Sequence, residues 1–284
     1  MGIKKVGVVG CGLMGSGIAE VCARSGYDVV VTEVNQEFLD NGMKRLNASL
    51  DRAVKRGKLE EQERKAISGR LQGTIKMDDF KDCDLVIEAV IENLEEKKRV
   101  FAELDKVCPQ HAFLASNTSC LSILDIAMAT KRPSQVIGMH FFNPVPVMKL
   151  VEIIRTIVSS DEAINTAKDF ASSIDKKAIF AKDTPGFIVN LLLTPYLTNA
   201  IRALESGVAT KEDIDQGAVL GLNHPMGPFT LMDFIGLDTL YYIACSMFDE
   251  FKDPSFAPPI LLKKMVTAGH LGRKSGKGFY DYNL

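Results

Sequence analysis

The sequence predicts an α/β protein with a doubly wound sheet in its first part and an all-helical second part. Three observations carry this prediction. Short apolar runs alternate with helix-length amphipathic stretches from residue 4 to residue 182. A glycine-rich turn separates the first apolar run from the first helix. After residue 183 this alternation stops, and the chain reads as helical almost to its end.

The elements of the first part follow one another in a regular order. The apolar run 6–9, the helical stretch 13–25 and the run 29–31 predict a βαβ unit with parallel strands and a right-handed crossover. Residues 36–70 read as two charged amphipathic helices that are broken near Gly57. Further strands are predicted at 74–76, 84–90, 112–116, 136–140, 149–156 and 177–181, with helices at 94–107, 121–129 and 161–174.

The pattern changes at "KDTPGFIVN". Asp183 or Thr184 can cap a helix, and Pro185 suits its first position. We therefore predict a first domain over residues 1–183, which includes the helical pair 36–70, and a second domain over 184–284. Pro195 is expected to kink the first helix of that domain. The many apolar residues there predict a dimer formed through the second domain.

Composition excludes several classes of protein. With 284 residues, 46% hydrophobic and 25% charged, the chain resembles an ordinary globular protein, and its net charge of −2 argues against a nucleic-acid or anionic-membrane partner. Its six cysteines form no C-x-x-C pair, which favours a reducing compartment over a disulfide framework or a metal site. No apolar stretch is long enough to span a membrane, and the first strand begins near Lys4, so we expect a cytoplasmic protein without a signal peptide.

Gly10-Cys11-Gly12-Leu13-Met14-Gly15 is a G-x-G-x-x-G pattern between an apolar strand and a helix. That context is typical of a Rossmann-type dinucleotide site, because Gly10 permits the turn, Gly12 admits a pyrophosphate and Gly15 allows close packing. The helix N-terminus, where Leu13 and Met14 lie, supplies amide donors for the phosphates. An ordinary strand–turn–helix is the alternative interpretation.

Glu33 follows the second predicted strand, where an acidic side chain can accept a hydrogen bond from a ribose 2′-hydroxyl. A carboxylate also repels a 2′-phosphate, so we predict NAD as the cofactor and NADP as the less suitable one. Asn35 and its neighbours are the residues that could alter this preference.

Polar segments follow three of the predicted strands. They are "EAVIEN", "SNTSC" and "HFFN", and ligands of doubly wound sheets bind beyond such strand ends. Asn117, Ser119, His140 and Asn143 should therefore converge near the nicotinamide. Glu152 lies in the apolar run "KLVEII", and a buried carboxylate requires a partner, for which an imidazole is suited.

These residues also have plainer interpretations. His140 could be a core histidine with satisfied hydrogen bonds, and Glu152 could be a surface residue on an edge strand. Among the other histidines, His224 lies in a Pro/Gly-rich turn and reads as structural. His111 and His270 lie in loop-like segments without an identifiable acidic partner. His140, at a strand end beside the expected cofactor, is the candidate catalytic base.

Over essentially its whole length the chain resembles the NAD-dependent 3-hydroxyacyl-CoA dehydrogenases, and among them the short bacterial 3-hydroxybutyryl-CoA dehydrogenases. The resemblance rests on "GVVGCGLMGSGIA", "IENLEEK", "SNTS", "GMHFFNPVPVMKLVEI", "DTPGFIVN", "NHPMGPFTLMDFIGLD" and "GRKSGKGFYDY". The segment around His140 and Glu152 is much more specific than the glycine pattern.

The resemblance implies interconversion of (S)-3-hydroxyacyl-CoA and 3-ketoacyl-CoA with NAD(H). His140 would be the general acid/base, Glu152 would orient it, and Ser119 and Asn190 would bind the reacting oxygen and the thioester region. The remaining cofactor contacts would be Glu33, Glu92, Lys97, Asn117, Ser119, Asn143 and Lys274. Lysines or arginines next to Lys97 and Lys274 could take their places.

A basic segment supplies a candidate site for the CoA phosphates. Six basic residues and one acid lie between Lys44 and Lys58, and Ser49, Arg52 and Arg56 share one helix face. The alternative is an ordinary solvated charged face. The resemblance places CoA contacts on this helical pair at Ser49 and Arg56, although family members often carry lysine in place of Arg56.

Two other functions remain open from the sequence. One is an NAD-dependent dehydrogenase of another 3-hydroxy acid or of a sugar acid, which would use the same His–Glu pair. The other is a catalytically silent NAD-binding or structural protein on the same fold.

Overall fold

The computed structural model describes residues 2–282, and the chain divides into two compact units between Thr184 and Pro185. Within the described residues, eight strands of the first unit form a single sheet. The strands are β1 (Lys5–Val9), β2 (Asp28–Thr32), β3 (Leu71–Thr74), β4 (Leu85–Glu88), β5 (Phe113–Ser116), β6 (Val136–Phe141), β7 (Leu150–Arg155) and β8 (Lys177–Lys182).

The strand order in the sheet is β3-β2-β1-β4-β5-β6-β7-β8. All neighbouring pairs are parallel except β6 and β7, which pair antiparallel. This arrangement confirms the predicted doubly wound sheet. The helices of this unit are α1 (Leu13–Arg24), α2 (Gln36–Lys55), α3 (Glu61–Gly69), α4 (Leu94–Val107), α5 (Ile123–Ala127) and α6 (Asp161–Ser173).

Burial explains why the strand segments read as continuous apolar runs. The central strands β1, β4 and β5 have partners on both edges, and Val8, Ile87 and Leu114 are fully buried. The apolar face of α1, with Ile18 and Cys22, belongs to the same core. This packing fixes the carboxyl ends of the strands, where the candidate site lies.

The second unit is helical, as predicted. Its helices are α7 (Val189–Glu205), α8 (Lys211–Gln216), α9 (Pro228–Ile235), α10 (Leu237–Phe251) and α11 (Ile260–Thr267), with a π-helical turn at Gly217–Gly221. Within residues 2–282 no single helix is long and apolar enough to cross a membrane. Only α9 and α10 taken together pass that test, and they are bent by 95° at their junction.

Two predicted boundaries are wrong. The third strand occupies Leu71–Thr74 and not 74–76, because pairing with β2 decides its limits. The helix expected to begin at Pro185 begins at Val189. Asp183 does cap a helix, but a different one: its carboxylate accepts from the amides of Ile123 and Leu124 at 3.0 and 2.7 Å, at the start of α5.

Candidate active site

The glycine turn between β1 and α1 has the geometry of a dinucleotide loop. Gly10 adopts φ +93°, a conformation that side chains rarely allow, and a Cβ on Gly15 would lie 1.8 Å from the carbonyl oxygen of Gly10. By contrast, a Cβ on Gly12 would meet nothing within 4 Å. Gly12 precedes the first turn of α1, where Leu13 and Met14 follow without an acidic residue. The amide groups there can receive an anion.

Glu33 lies beside this turn, directly after β2. Its Oε1 accepts a hydrogen bond from the amide of Cys11 at 2.7 Å. A cavity of about 350 Å³ adjoins it, with walls that include Gly10, Val34, Ile75 and Val90. A carboxylate next to the glycine turn and a cavity beside it, lined by apolar side chains together with Arg99 and Glu103, fit the ribose and adenine of a dinucleotide.

The polar segments after β4 and β5 meet at one edge of the sheet. Glu88 pairs in register with Ser116, so the residues that follow each strand lie side by side. Asn117 is buried, and its Oδ1 accepts from the backbone amide of Phe141 in β6 at 2.8 Å. Ser119 is half-buried in the same turn. The structure thus joins the residue that follows β5 to the end of β6 through Asn117.

His140 and Glu152 lie directly opposite each other on β6 and β7. Residues opposite each other on an antiparallel pair point to the same face, which brings Nδ1 of His140 to 2.7 Å from Oε2 of Glu152. Both side chains are buried, with 5% and 0% of their surface exposed. The spacing of twelve residues between His140 and Glu152 therefore corresponds to the connection of an antiparallel hairpin formed by β6 and β7. The alternative interpretation of Glu152 as a surface residue on an edge strand is wrong, because β7 lies between β6 and β8.

The hydrogen bond to Glu152 determines which nitrogen of His140 can exchange a proton. An ionised carboxylate only accepts, so Nδ1 carries a hydrogen in this contact and Nε2 is the nitrogen that can gain or lose one. The ring also packs against Phe142, with ring centroids 4.6 Å apart. This arrangement can perform general acid/base chemistry.

The loop between β6 and β7 is held by a buried lysine. Nζ of Lys176 donates to the carbonyl oxygens of Val145 and Met148 at 2.7 and 2.6 Å. Burial lowers the pKa of this lysine below its usual value. Asn143, in the same loop, is exposed. The connection that joins the two candidate catalytic residues is thus anchored from the α6–β8 side of the sheet.

Glu92 and Lys97 form a network behind the Ser119 turn. Oε1 of Glu92 accepts from the hydroxyl of Thr118 at 2.5 Å and from the amide of Ser119 at 2.7 Å. Lys97 is 1% exposed, and its Nζ lies 2.6 Å from Glu88 and 3.3 Å from Glu92. The sequence singled out Glu92 and Lys97 but missed Glu88. The signal that could have identified Glu88 is an acidic residue at the end of a buried strand, because a buried carboxylate requires a cation nearby.

The basic face of α2 contacts α1. Glu20 of α1 is 1% exposed and pairs with Arg24 at 2.9 Å. Burial raises the pKa of Glu20 above its usual value. The hydroxyl of Ser49 and the positive charges of Arg24 and Arg52 act in the opposite direction and lower this pKa. Arg52 and Arg56 are exposed, and Arg56 follows the last residue of α2. The three residues with the predicted CoA role therefore lie in the last turns of this helix or directly after it, and Ser49 lies near a carboxylate that the sequence did not single out.

Two candidates lie in the second unit. Asn190 is half-buried in the first turn of α7. Lys274 follows Gly272 in a short 3₁₀ turn, and its Nζ lies 2.7 Å from Oδ2 of Asp238 at the start of α10. This ion pair holds the lysine against its own unit.

The remaining histidines differ from His140 in their surroundings. His111 was expected to lack an acidic partner, and this is wrong: its Nε2 lies 3.1 Å from Asp84. Its side chain is nevertheless 53% exposed and lies at the amino end of β5, away from the strand ends that carry the site. His224 lies 3.2 Å from the hydroxyl of Tyr196 within the second unit.

The comparisons with known proteins give the same family for both units of the chain. The family model "3-hydroxyacyl-CoA dehydrogenase, NAD binding domain" matches residues 5–184, and "3-hydroxyacyl-CoA dehydrogenase, C-terminal domain" matches residues 186–282. The 3-hydroxybutyryl-CoA dehydrogenase of Mycobacterium tuberculosis H37Rv is 52% identical over 282 residues, which are 99% of each chain.

Solved structures give the same result. The crystal structure of M. tuberculosis FadB2 superimposes with a TM-score of 0.98 at 51% identity and covers 100% of both chains. That of (S)-3-hydroxybutyryl-CoA dehydrogenase PaaH1 from Ralstonia eutropha gives 0.94 at 42% identity, with 99% of this chain and 100% of that one covered. With two matching domain models and relatives at this identity over full length, the chain belongs to the 3-hydroxyacyl-CoA dehydrogenase family.

Proposed function

We propose that the chain is an NAD-dependent dehydrogenase that interconverts (S)-3-hydroxybutyryl-CoA and acetoacetyl-CoA, with His140 and Glu152 as its acid/base pair. The observation that carries the proposal is the 2.7 Å contact between these side chains, which are buried at the carboxyl end of β6. The names of the similar proteins give the substrate class.

In the oxidative direction Nε2 of His140 takes the proton from the 3-hydroxyl group. Glu152 keeps Nδ1 protonated and stabilises the imidazolium that forms. In the reductive direction the imidazolium returns the proton to the 3-keto oxygen. When bound, NAD(H) supplies the hydride acceptor or donor for C3. Ser119 and Asn190 are proposed to hydrogen-bond the reacting oxygen and the thioester region.

The cofactor is held by the glycine turn, including Leu13 and Met14, and by Glu33. Because a 2′-phosphate would meet the carboxylate of Glu33, NAD is favoured over NADP. Asn117, Ser119, Asn143 and Glu92 are proposed as further contacts at the nicotinamide end. Lys97 and Lys274 are the weakest of the set, since each is already in an ion pair with a carboxylate of its own unit.

Ser49, Arg52 and Arg56 are proposed to bind the CoA phosphates. Arg52 and Arg56 are exposed cations near the end of α2, and phosphates require such partners. Exchange of both arginines for glutamate should raise KM for acyl-CoA while KM for NADH is retained. An unchanged KM for acyl-CoA would exclude this face.

A homodimer through the second unit is also proposed. Leu192, Leu220 and Leu222 expose 70%, 81% and 61% of their surface. A groove of about 480 Å³ beside Leu192 is walled almost entirely by apolar side chains, including Val189 and Met226. Surfaces of this kind mark protein contacts. We also place the protein in the cytoplasm, because its six cysteines are free thiols.

One assay tests the activity. NADH oxidation should follow addition of acetoacetyl-CoA and should be much slower with NADPH or with free acetoacetate. Turnover of free acetoacetate at an equal rate would favour the dehydrogenase of another 3-hydroxy acid. NADH binding without turnover of any 3-ketoacyl-CoA from C4 to C10 would favour the silent NAD-binding protein.

A further inference from the structure

A buried charge network lies at the carboxyl end of β4 and involves a residue without an assigned role. Glu88 is 0% exposed, and its carboxylate accepts from Nζ of Lys97 at 2.6 Å, from the hydroxyl of Ser116 at 2.6 Å and from the amide of Val90 at 2.7 Å. Every one of these donors lies within the first unit. Glu88 is thus a buried carboxylate with three donors, next to the strand ends that form the site.

Lys97 connects Glu88 to the Ser119 turn. Its ammonium lies between two carboxylates, 2.6 Å from Glu88 and 3.3 Å from Glu92. Glu92 in turn accepts from the hydroxyl of Thr118 and the amide of Ser119. The Thr118 hydroxyl also accepts from the amide of Leu121 at 3.0 Å. The position of Glu92 therefore determines the conformation of the turn that carries Ser119.

Stability alone does not account for this network. Removing two charges from water is costly, and a buried ion pair is often no more stabilising than well-packed apolar residues of the same size. A buried pair does, however, fix geometry when its members have defined hydrogen-bond partners. The site requires such precision, because a shift of about 1 Å in a group that binds the reacting atoms can cost about 10²-fold in rate.

We propose that Glu88 is a positioning residue for Ser119 and acts through Lys97 and Glu92. Glu88 holds the ammonium of Lys97, the ammonium holds one oxygen of Glu92, and the other oxygen of Glu92 fixes the turn. In this account the buried ammonium of Lys97 serves first as a member of the positioning network. The inference rests on the proposed role of Ser119 in binding the reacting oxygen.

The experiment is a double-mutant cycle on the full-length enzyme. Glu88→Gln should lower kcat for acetoacetyl-CoA about tenfold, while the NADH dissociation constant, measured by fluorescence, changes less than about twofold. In a Ser119→Ala background the same exchange should lower kcat less than about twofold further, because the group being positioned is gone.

Lys97→Met should reproduce the effect of Glu88→Gln, and the two exchanges together should be no worse than either one. Lys98→Met is the matched control: it removes the neighbouring lysine of α4, whose partner is the exposed Glu95 at 3.1 Å, and should leave kcat unchanged. If Glu88→Gln does not fold, the pair Glu88→Gln with Lys97→Met, which leaves no unpaired buried lysine, is used in its place.

Thr118→Val provides an independent measurement, because it removes a bond of Glu92 to the turn and leaves the ion pairs intact. It should lower kcat only when Ser119 keeps its hydroxyl. The proposal is overturned if these exchanges lower kcat equally with and without that hydroxyl, if they leave kcat unchanged, or if Lys97→Met weakens NADH binding as much as it lowers kcat. Full activity of Ser119→Ala would instead contradict the proposed role of Ser119. Absence of turnover by the wild-type enzyme would contradict the proposed function.

Discussion

At the scale of single residues, the pair of His140 and Glu152 distinguishes an enzyme from a nucleotide-binding fold. The strand register places the two side chains opposite each other, and both are buried. A histidine held in this way has a defined tautomer, which a general base requires. The expected consequences concern each member separately.

His140→Ala should lower kcat by about 10²–10⁴ because the proton acceptor is removed. The NADH dissociation constant should stay within about threefold, since the glycine turn follows β1 and Glu33 follows β2, whereas His140 lies on β6. Steady-state kinetics and fluorescence titration measure the two effects. His111→Ala, at an exposed histidine that also has a carboxylate partner, is the control and should leave kcat unchanged. Near-normal turnover of the first variant would refute the assignment.

Glu152→Gln should lower kcat by about 10²-fold or more, because an amide neither stabilises an imidazolium nor enforces one tautomer. The variant should stay folded, since glutamine keeps the volume and a hydrogen-bonding oxygen. Circular dichroism and thermal unfolding check the fold before kinetics are measured. A soluble but unfolded product would show that Glu152 serves the structure, and the acid/base account would lose its support.

The sequence predicted most of this site but not all of it. The glycine turn, His140 and the requirement of Glu152 for a partner follow from residue types in a strand–helix context. The antiparallel pairing of β6 with β7 does not, because strand direction depends on a loop whose anchor, Lys176, lies far along the chain. Glu88 and Glu20 were missed because an acidic residue in an apolar run shows its partner only after folding.

At the scale of elements, the contact of α1 with α2 joins the dinucleotide turn to the proposed CoA face. Glu20, buried in α1, pairs with Arg24 and lies near Ser49 and Arg52 of α2. Gly42 allows close packing nearby, since a Cβ there would lie 2.3 Å from the carbonyl oxygen of Cys11. The two helices therefore place the glycine turn and the residues proposed to bind the CoA phosphates on one packed pair of helices.

Glu20→Gln should change the dependence of stability on pH. Burial raises the pKa of Glu20 in the folded protein, so the stability it contributes is present at acid pH and is lost as the pH rises through that pKa. A glutamine does not ionise. The free energy of unfolding of the variant, relative to that of the wild type, should thus increase from pH 4 to pH 7, which means that the variant gains relative stability.

Urea unfolding at several pH values measures this difference. Glu95→Gln, which removes an exposed carboxylate from α4, is the matched control and should show a much smaller change with pH. A relative stability of Glu20→Gln that falls as the pH rises would contradict the effect of burial on this carboxylate.

At the scale of the whole molecule, the second unit has a core of its own and an apolar surface. Leu197, Phe229 and Met232 are buried in that core. Asp233 of α9 joins the last segment of this unit to the core: its carboxylate accepts hydrogen bonds from the amides of Phe279 and Tyr280 at 2.9 Å each. The exposed leucines lie outside this core, which is the basis of the proposed dimer.

Leu192→Asp together with Leu220→Asp should convert the proposed dimer into a monomer, because each exchange places a charge on a surface that burial would desolvate. Light scattering after size-exclusion chromatography measures the mass. Ile157→Asp, at a residue of the first unit that is 90% exposed, is the control and should leave the mass unchanged. A wild-type mass equal to that of one 31.2 kDa chain would contradict the dimer.

The placement of His140 and Glu152 on neighbouring strands has one more consequence. The imidazole and its carboxylate are supplied by adjacent strands of one hairpin, so main-chain pairing sets their spacing as soon as those strands form. The geometry of the proposed acid/base pair is therefore set inside one unit, by the register of its own sheet.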